Sequence, residues 1–136
     1  MDKESKTYKN VAKNTKDTQG KAILIGIEFV SNGSSPLDNN LKELNGLAET
    51  AHYNVISIVS QKLTRINPKS FIGKGKVEEI SQLILQFSAG IVIFDENLSP
   101  AQNRNLENIF KCRVIDRSWL ILEIFEFIFI LKTKLH

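Results

Sequence analysis

Between Glu49 and Glu78 the chain carries no acidic side chain, yet Lys62, Arg65, Lys69, Lys74 and Lys76 all fall in that stretch. It closes with Phe71-Ile72-Gly73-Lys74-Gly75-Lys76-Val77-Glu78-Glu79-Ile80, in which two glycines alternate with two lysines at the opening of an amphipathic helix. The chemistry on offer is anion binding. A helix start presents unpaired backbone N–H groups and a positive dipole end, glycine lets an anion approach the backbone, and lysine adds charge. A phosphate is the expected ligand, and RNA its expected source. The spacing is not that of a nucleotide loop: a Walker motif needs G-x-x-x-x-G-K-S/T, Lys76 precedes a valine, and the third glycine of a dinucleotide fingerprint is missing. The plainer reading is a tight turn with two solvated lysines, and Glu78 and Glu79, which complement the helix dipole, favour it.

Other candidate groups are sparse. Asp95-Glu96 and Asp116 lie on separate loops with no histidine near, a weak pattern for a metal or acid–base pair. Asp116 followed by Arg117 reads as a local ion pair or cap. No catalytic and no metal residue is assigned. Cys112 is the single cysteine, which excludes an internal disulfide; in its apolar run it reads as a buried, inert thiol. His52 stands where the first helix ends, a position that favours glycine.

The elements that must position these groups follow from the apolar pattern. KAILIGIEFV at 21–30, NVISIVSQKL at 54–63, IVIF at 91–94 and RVID at 113–116 read as strands. Helices are expected after Ser35-Pro36, over Lys76–Phe87 with Val77, Ile80, Leu83, Ile84 and Phe87 inward, and after the capping-box sequence Ser99-Pro100-Ala101-Gln102, with Leu106, Ile109 and Phe110 inward. Apolar strands separated by helices indicate an α/β fold: a three-layer α/β/α sandwich around a four-stranded, mostly parallel sheet. Ligands of such sheets bind outside the carboxyl ends of the strands. That edge gathers Arg65, Lys69, Gly73, Lys74, Gly75, Lys76 and Arg117, the expected phosphate or nucleic-acid site, together with Asp95, Glu96 and Asp116.

The 136 residues suit one domain, with 42% apolar and 24% charged residues. Six lysines up to Lys21, against Asp2, Glu4 and Asp17, account for the whole net charge of +3. Residues 1–20 therefore read as a disordered basic arm, 21–118 as the α/β domain, and 119–136 as an apolar C-terminal segment. The run WLILEIFEFIFIL at 119–131 is shorter than the roughly 20 residues of a membrane span. Its apolar surface must lie on the core, associate with another copy, or aggregate. The start of the chain contains no apolar segment that would read as a signal peptide, and a reducing cytoplasm fits.

Four blocks in order, NGLAETAHYNVISIVSQKL at 45–63, IGKGKVEEI at 72–80, VIFDENLSPAQNRNLE at 92–107 and VIDRSWLILEIF at 114–125, resemble the N-terminal domain of HflX-type GTPases. The resemblance covers roughly residues 22–125. It implies a ribosome-associated protein whose partner is the large ribosomal subunit and its rRNA, with GTP and Mg confined to a separate downstream domain. ATP binding by the N-terminal domain is also attributed to the family. Where the family has glycine, this chain has His52. No guanine-specificity motif is present, and EFIFILKTKLH at 126–136 departs from the polar, alanine-rich helix of the family. The expectation is therefore a truncated N-terminal fragment with no GTPase activity of its own. The alternatives are a small ATP-binding α/β protein and a non-functional truncated product.

Overall fold

The computed structural model describes residues 20–30 and 37–134. The basic arm read at 1–20 lies, apart from Gly20, outside these residues, as do Ser35 and Pro36. Eight elements follow in order: β1 (Lys21–Phe29), α1 (Leu37–Thr50), β2 (Asn54–Leu63), α2 (Lys74–Phe87), β3 (Ile91–Phe94), α3 (Pro100–Phe110), β4 (Arg113–Asp116) and α4 (Arg117–Lys134). The four strands form one sheet in the order β2-β1-β3-β4, and every pairing is parallel.

Alternation along β1 and β3 divides the core in two. Ile23, Ile25 and Ile27 of β1 join Val92 and Phe94 of β3 beneath α2 and α3. Ala22, Leu24, Ile91 and Ile93 face the other way, onto Leu44 and Ala48 of α1 and Leu120 of α4. The result is the three-layer arrangement, with both inner strands sealed on each face. Two expected inward side chains are not inward: Phe87, the last residue of α2, and Ile109 are exposed; the inward face of α3 runs through Gln102, Leu106 and Phe110, and Ile109 lies to its side.

Register creates a shelf. β1 pairs with β3 only over Ala22–Ile25, whereas its pairing with β2 continues to Phe29. The ends of β1 and β2 therefore project past β3. Gly26 stands at the start of this projection because α1 crosses it closely: a Cβ there would lie 2.7–2.9 Å from the Leu41 side chain.

The helix ends are defined locally. Ser99 Oγ accepts from the Gln102 backbone N–H and Gln102 Oε1 accepts from the Ser99 backbone N–H, completing the capping box. α1 leaves through His52 at φ 68°, with Tyr53 N–H bonded to Ala48 and His52 N–H to Glu49, a Schellman closure with histidine in the left-handed position. Ser88 and Lys111 close α2 and α3 in the same conformation.

α4 begins directly at the end of β4, so the segment read as starting at 119 is continuous with the sheet. Its first turns are anchored by a three-residue network. Tyr53 donates to Glu123 (2.7 Å), and Arg113 donates to Glu123 (2.6 Å) and to Tyr53 (3.3 Å). Burial, reinforced by Glu123, pushes the Tyr53 phenol up to about 12. Among the described residues no helix is long and apolar enough to cross a membrane.

Gly26→Ala is expected to lower stability by about 1–3 kcal/mol, because Leu41 is packed and α1 must shift to admit the methyl group. A lower denaturant midpoint at constant slope is the expected observation; an unchanged midpoint would show that α1 yields freely.

Candidate nucleic-acid interface

The segment between β2 and α2 is a folded loop held by its own backbone and by amides. Asn67 and Phe71 exchange both backbone hydrogen bonds, 3.1 Å and 2.8 Å. Within this bracket the Asn67 carbonyl side chain accepts from the N–H of Lys69 and Ser70, and Ser70 donates its hydroxyl proton to Ile72. Asn-Pro-Lys-Ser suits this conformation: Pro68 presets φ and Asn67 closes an Asx turn. Two side chains of α3 fasten the loop from outside. Gln102 donates to the Asn67 carbonyl at 2.9 Å and Asn105 to the Lys69 carbonyl at 3.1 Å.

The geometric demand of the loop falls on Phe71 rather than on the glycines. Phe71 has φ 64°, a region a bulky residue seldom enters, while no described glycine has positive φ. Burial holds it there: Phe71 is 4% exposed and meets Phe94 edge to face at 6.4 Å, and Ile72 is fully buried beside it. These two side chains fill the shelf beyond the end of β3. Gly73 then serves as N-cap at φ −72°, with no side-chain cap bond, and α2 starts at Lys74, two residues earlier than the apolar pattern indicates. A Cβ at Gly75 would meet nothing within 4 Å, and one at Gly73 only Gln61 at 3.9 Å.

Arg65, Lys69 and Lys74 are exposed, and among the described residues no carboxylate pairs with them. Lys76 is committed to Glu79 at 2.7 Å. Arg117 lies elsewhere on the edge. Its guanidinium binds Asp95 at 2.7 Å and 2.9 Å, Glu43 at 3.4 Å and the Asn40 carbonyl at 3.1 Å, tying the end of β3 to α1. Burial alone would lower the Arg117 pKa, but the bond to Asp95 raises it and keeps the group charged. Burial pushes the Asp95 carboxyl up and Arg117 pulls it back only in part; Glu96 is raised by burial and by Asp95. The sequence-read group thus divides into a basic loop and helix start beside α3, and an arginine neutralised against α1.

Asp116 is a cap. Its carboxylate accepts from Trp119 N–H at 3.1 Å, at the start of α4, and from Leu98 N–H at 3.0 Å. Among the described residues no cluster of histidine, cysteine, aspartate or glutamate could hold a metal ion. Burial raises the Cys112 thiol to about 11, well away from the thiolate needed for reactivity. The amides Asn67, Gln102 and Asn105 organise the loop and were not among the expected site residues. Asn67-Pro68 was a visible turn signal; Gln102 read only as half of a capping box.

Gln102→Ala removes the capping bond to Ser99 and the clamp on Asn67 together. A loss of about 1–3 kcal/mol is expected, with faster amide exchange at Lys69 and Ser70 than in the parent. Unchanged exchange at these two amides would show that the loop holds without its clamp.

The sequence profile described as GTP-binding GTPase N-terminal matches residues 38–126. GTPase HflX of Flavobacterium psychrophilum is 40% identical over 105 residues, covering 77% of this chain and 25% of that protein. GTPase HflX of Escherichia coli is 38% identical over 109 residues, covering 80% and 25%. The solved GTP-binding protein from the hyperthermophilic archaeon Sulfolobus solfataricus, in complex with GDP, superposes with a TM-score of 0.58 at 25% identity, over 77% of this chain and 30% of that one. The chain spans about a quarter of the length of the curated relatives it matches. On the profile match and on these identities, the chain belongs to the GTP-binding GTPase N-terminal family and is an HflX-type N-terminal domain.

Proposed function

We propose that this chain is the RNA-binding N-terminal module of an HflX-type GTPase, and that it engages the rRNA of the large ribosomal subunit through the loop at 64–73 and the start of α2. The observation that carries this reading is the pairing of a rigid, acid-free loop with a helix start that has no side-chain cap. Lys69 stands exposed in the loop and Lys74 is the first residue of α2, whose opening N–H groups at Gly73, Lys74 and Gly75 a phosphate oxygen would satisfy. Arg65 extends the positive surface toward β2. Gly73 and Gly75 keep the approach open. Lys76 orients Glu79 and contributes less; Arg117 supports the edge from behind through Asp95. In this reading the module positions the protein on a backbone of phosphates, and GTP binding with Mg and hydrolysis belong to the remainder of an HflX protein. A ribosomal partner places the chain in the cytoplasm.

Binding to large ribosomal subunits, measured against salt, tests the proposal. Lys69→Ala and Lys74→Ala are each expected to lower the slope of log affinity against log salt by roughly 1, with fold stability within about ±0.5 kcal/mol of the parent. Lys76→Ala is expected to change the slope less. Equal slopes for parent and Lys69→Ala/Lys74→Ala would remove these lysines from the interface. Saturable ATP binding, lost in the same variants and without ribosome affinity, would favour a nucleotide ligand at this edge.

The purified chain is expected to hydrolyse GTP no faster than buffer, since phosphoryl transfer needs a phosphate cradle, a magnesium ligand and a positioned water. Turnover that scales with protein through repeated purification would contradict this.

A further inference from the structure

Between the basic loop and α3 the surface dips. Asn67, Lys69 and Ser70 of the loop and Asn105, Asn108 and Ile109 of α3 line a hollow of 540 Å³. That volume lies within the roughly 300–1,000 Å³ of clefts that hold small ligands. Both sides are fixed before a ligand arrives: Asn67 and Phe71 exchange backbone bonds, and Asn105 ties the two sides together through the Lys69 carbonyl.

The amides of α3 separate structural groups from a spare one. Gln102 donates to the Asn67 carbonyl, Asn103 to the Val114 carbonyl and Asn105 to the Lys69 carbonyl. Asn108 is exposed, and among the described residues its amide has no partner. Ile109 beside it is 49% exposed and lies outside the core. The hollow therefore offers one free amide, a donor and an acceptor together, next to an apolar surface.

The charges around it are of one sign. Arg104 stands one turn before Asn108, and Lys111, the C-cap of α3, one turn after it. Lys69, Arg104 and Lys111 are exposed, and among the described residues no carboxylate pairs with them. The one acid of α3, Glu107, is turned to β4, where it accepts from Val114 N–H at 3.0 Å.

A ligand that matches these features has a flat apolar face, a polar edge and negative charge on either side. An unpaired nucleotide within an RNA strand has all three. A paired one does not: an A-form duplex hides base faces in the stack and sinks base edges in a deep, narrow groove.

We propose that the hollow between the loop and α3 takes one unpaired base of the bound RNA, with Asn108 hydrogen-bonding its edge, Ile109 against its face, and Lys69, Arg104 and Lys111 on the flanking phosphates. This rests on the reading of the loop as an RNA-phosphate site, and it gives that site a preference for bulged or looped RNA over duplex.

Binding of the full chain to two RNA hairpins tests this, one carrying a single bulged adenosine and the other fully paired. The parent is expected to bind the bulged hairpin about tenfold tighter, the worth of one good amide–base pairing. Asn108→Ala should remove most of that preference and leave both the salt slope and the affinity for the paired hairpin unchanged. Arg104→Ala should do the reverse, lowering the salt slope by roughly 1 on both hairpins with the preference retained. Both positions are exposed, so neither variant endangers the fold. Equal affinity of the parent for the two hairpins, with Lys69→Ala and Lys74→Ala still lowering the slope, overturns the base pocket and leaves the phosphate reading standing. A full preference surviving in Asn108→Ala overturns it equally. Saturable ATP binding lost in Asn108→Ala, with no discrimination between the hairpins, would assign the hollow to a free nucleotide and overturn it too. A parent that binds neither hairpin overturns both readings.

Discussion

β1 and β3 are covered on both faces, and a parallel strand in that position has room for no polar side chain. IVIF of β3 is buried at every residue, and β1 is buried from Ala22 to Ile27. The backbone bonds are satisfied within the sheet, so the strands need nothing but volume and branching from their side chains. All polar chemistry is displaced to the strand ends. At the carboxyl edge it becomes an ordered set of caps and clamps: Asp116 closes the start of α4 and holds Leu98, Arg117 joins Asp95 to α1, and Gln102 joins α3 to the loop after β2. The apolar interior thereby determines where a charged ligand can meet this protein.

The two ends of the edge handle charge differently. On the α1 side, Arg117 and Asp95 are partly buried and neutralise one another. Their attraction offsets a desolvation cost that shows in the raised Asp95 carboxyl, so the pair fixes geometry more than it adds stability. On the α3 side the basic groups stand in solvent on a loop fixed by neutral amides. Neutral clamps rigidify the loop without cancelling its charge.

Much of the fold was legible because the strands obey one local rule. The spans 54–63, 91–94 and 113–116 coincide with the observed strands, and Ser99-Pro100-Ala101-Gln102 forms its expected box. α2 starts earlier than its apolar stripe because two glycines masked a helix that needs no side-chain cap. The exposure of Phe87 depends on where α2 ends, and that of Ile109 on which face of α3 meets the sheet, neither of which periodicity encodes. At the edge, residue types were legible and partnerships were not. Nothing local distinguishes Lys76, bound three residues away, from Lys74. Asp95 lies 22 residues before Arg117, and their meeting depends on adjacent strands ending level. The strained residue of the loop was equally hidden, since two glycines stood nearby and Phe71 took the positive φ.

That choice sets how the loop behaves. Had glycine supplied the left-handed residue, the loop could rearrange on its own. With Phe71 buried against Phe94 and Ile72 sealed beneath it, the backbone before α2 is welded to the sheet's own interior. Opening it means extracting an aromatic ring from the core, so its fluctuations are coupled to global unfolding instead of forming a low-energy local mode. A partner docking here meets a surface whose ordering entropy was spent during folding, and association then loses little further backbone freedom.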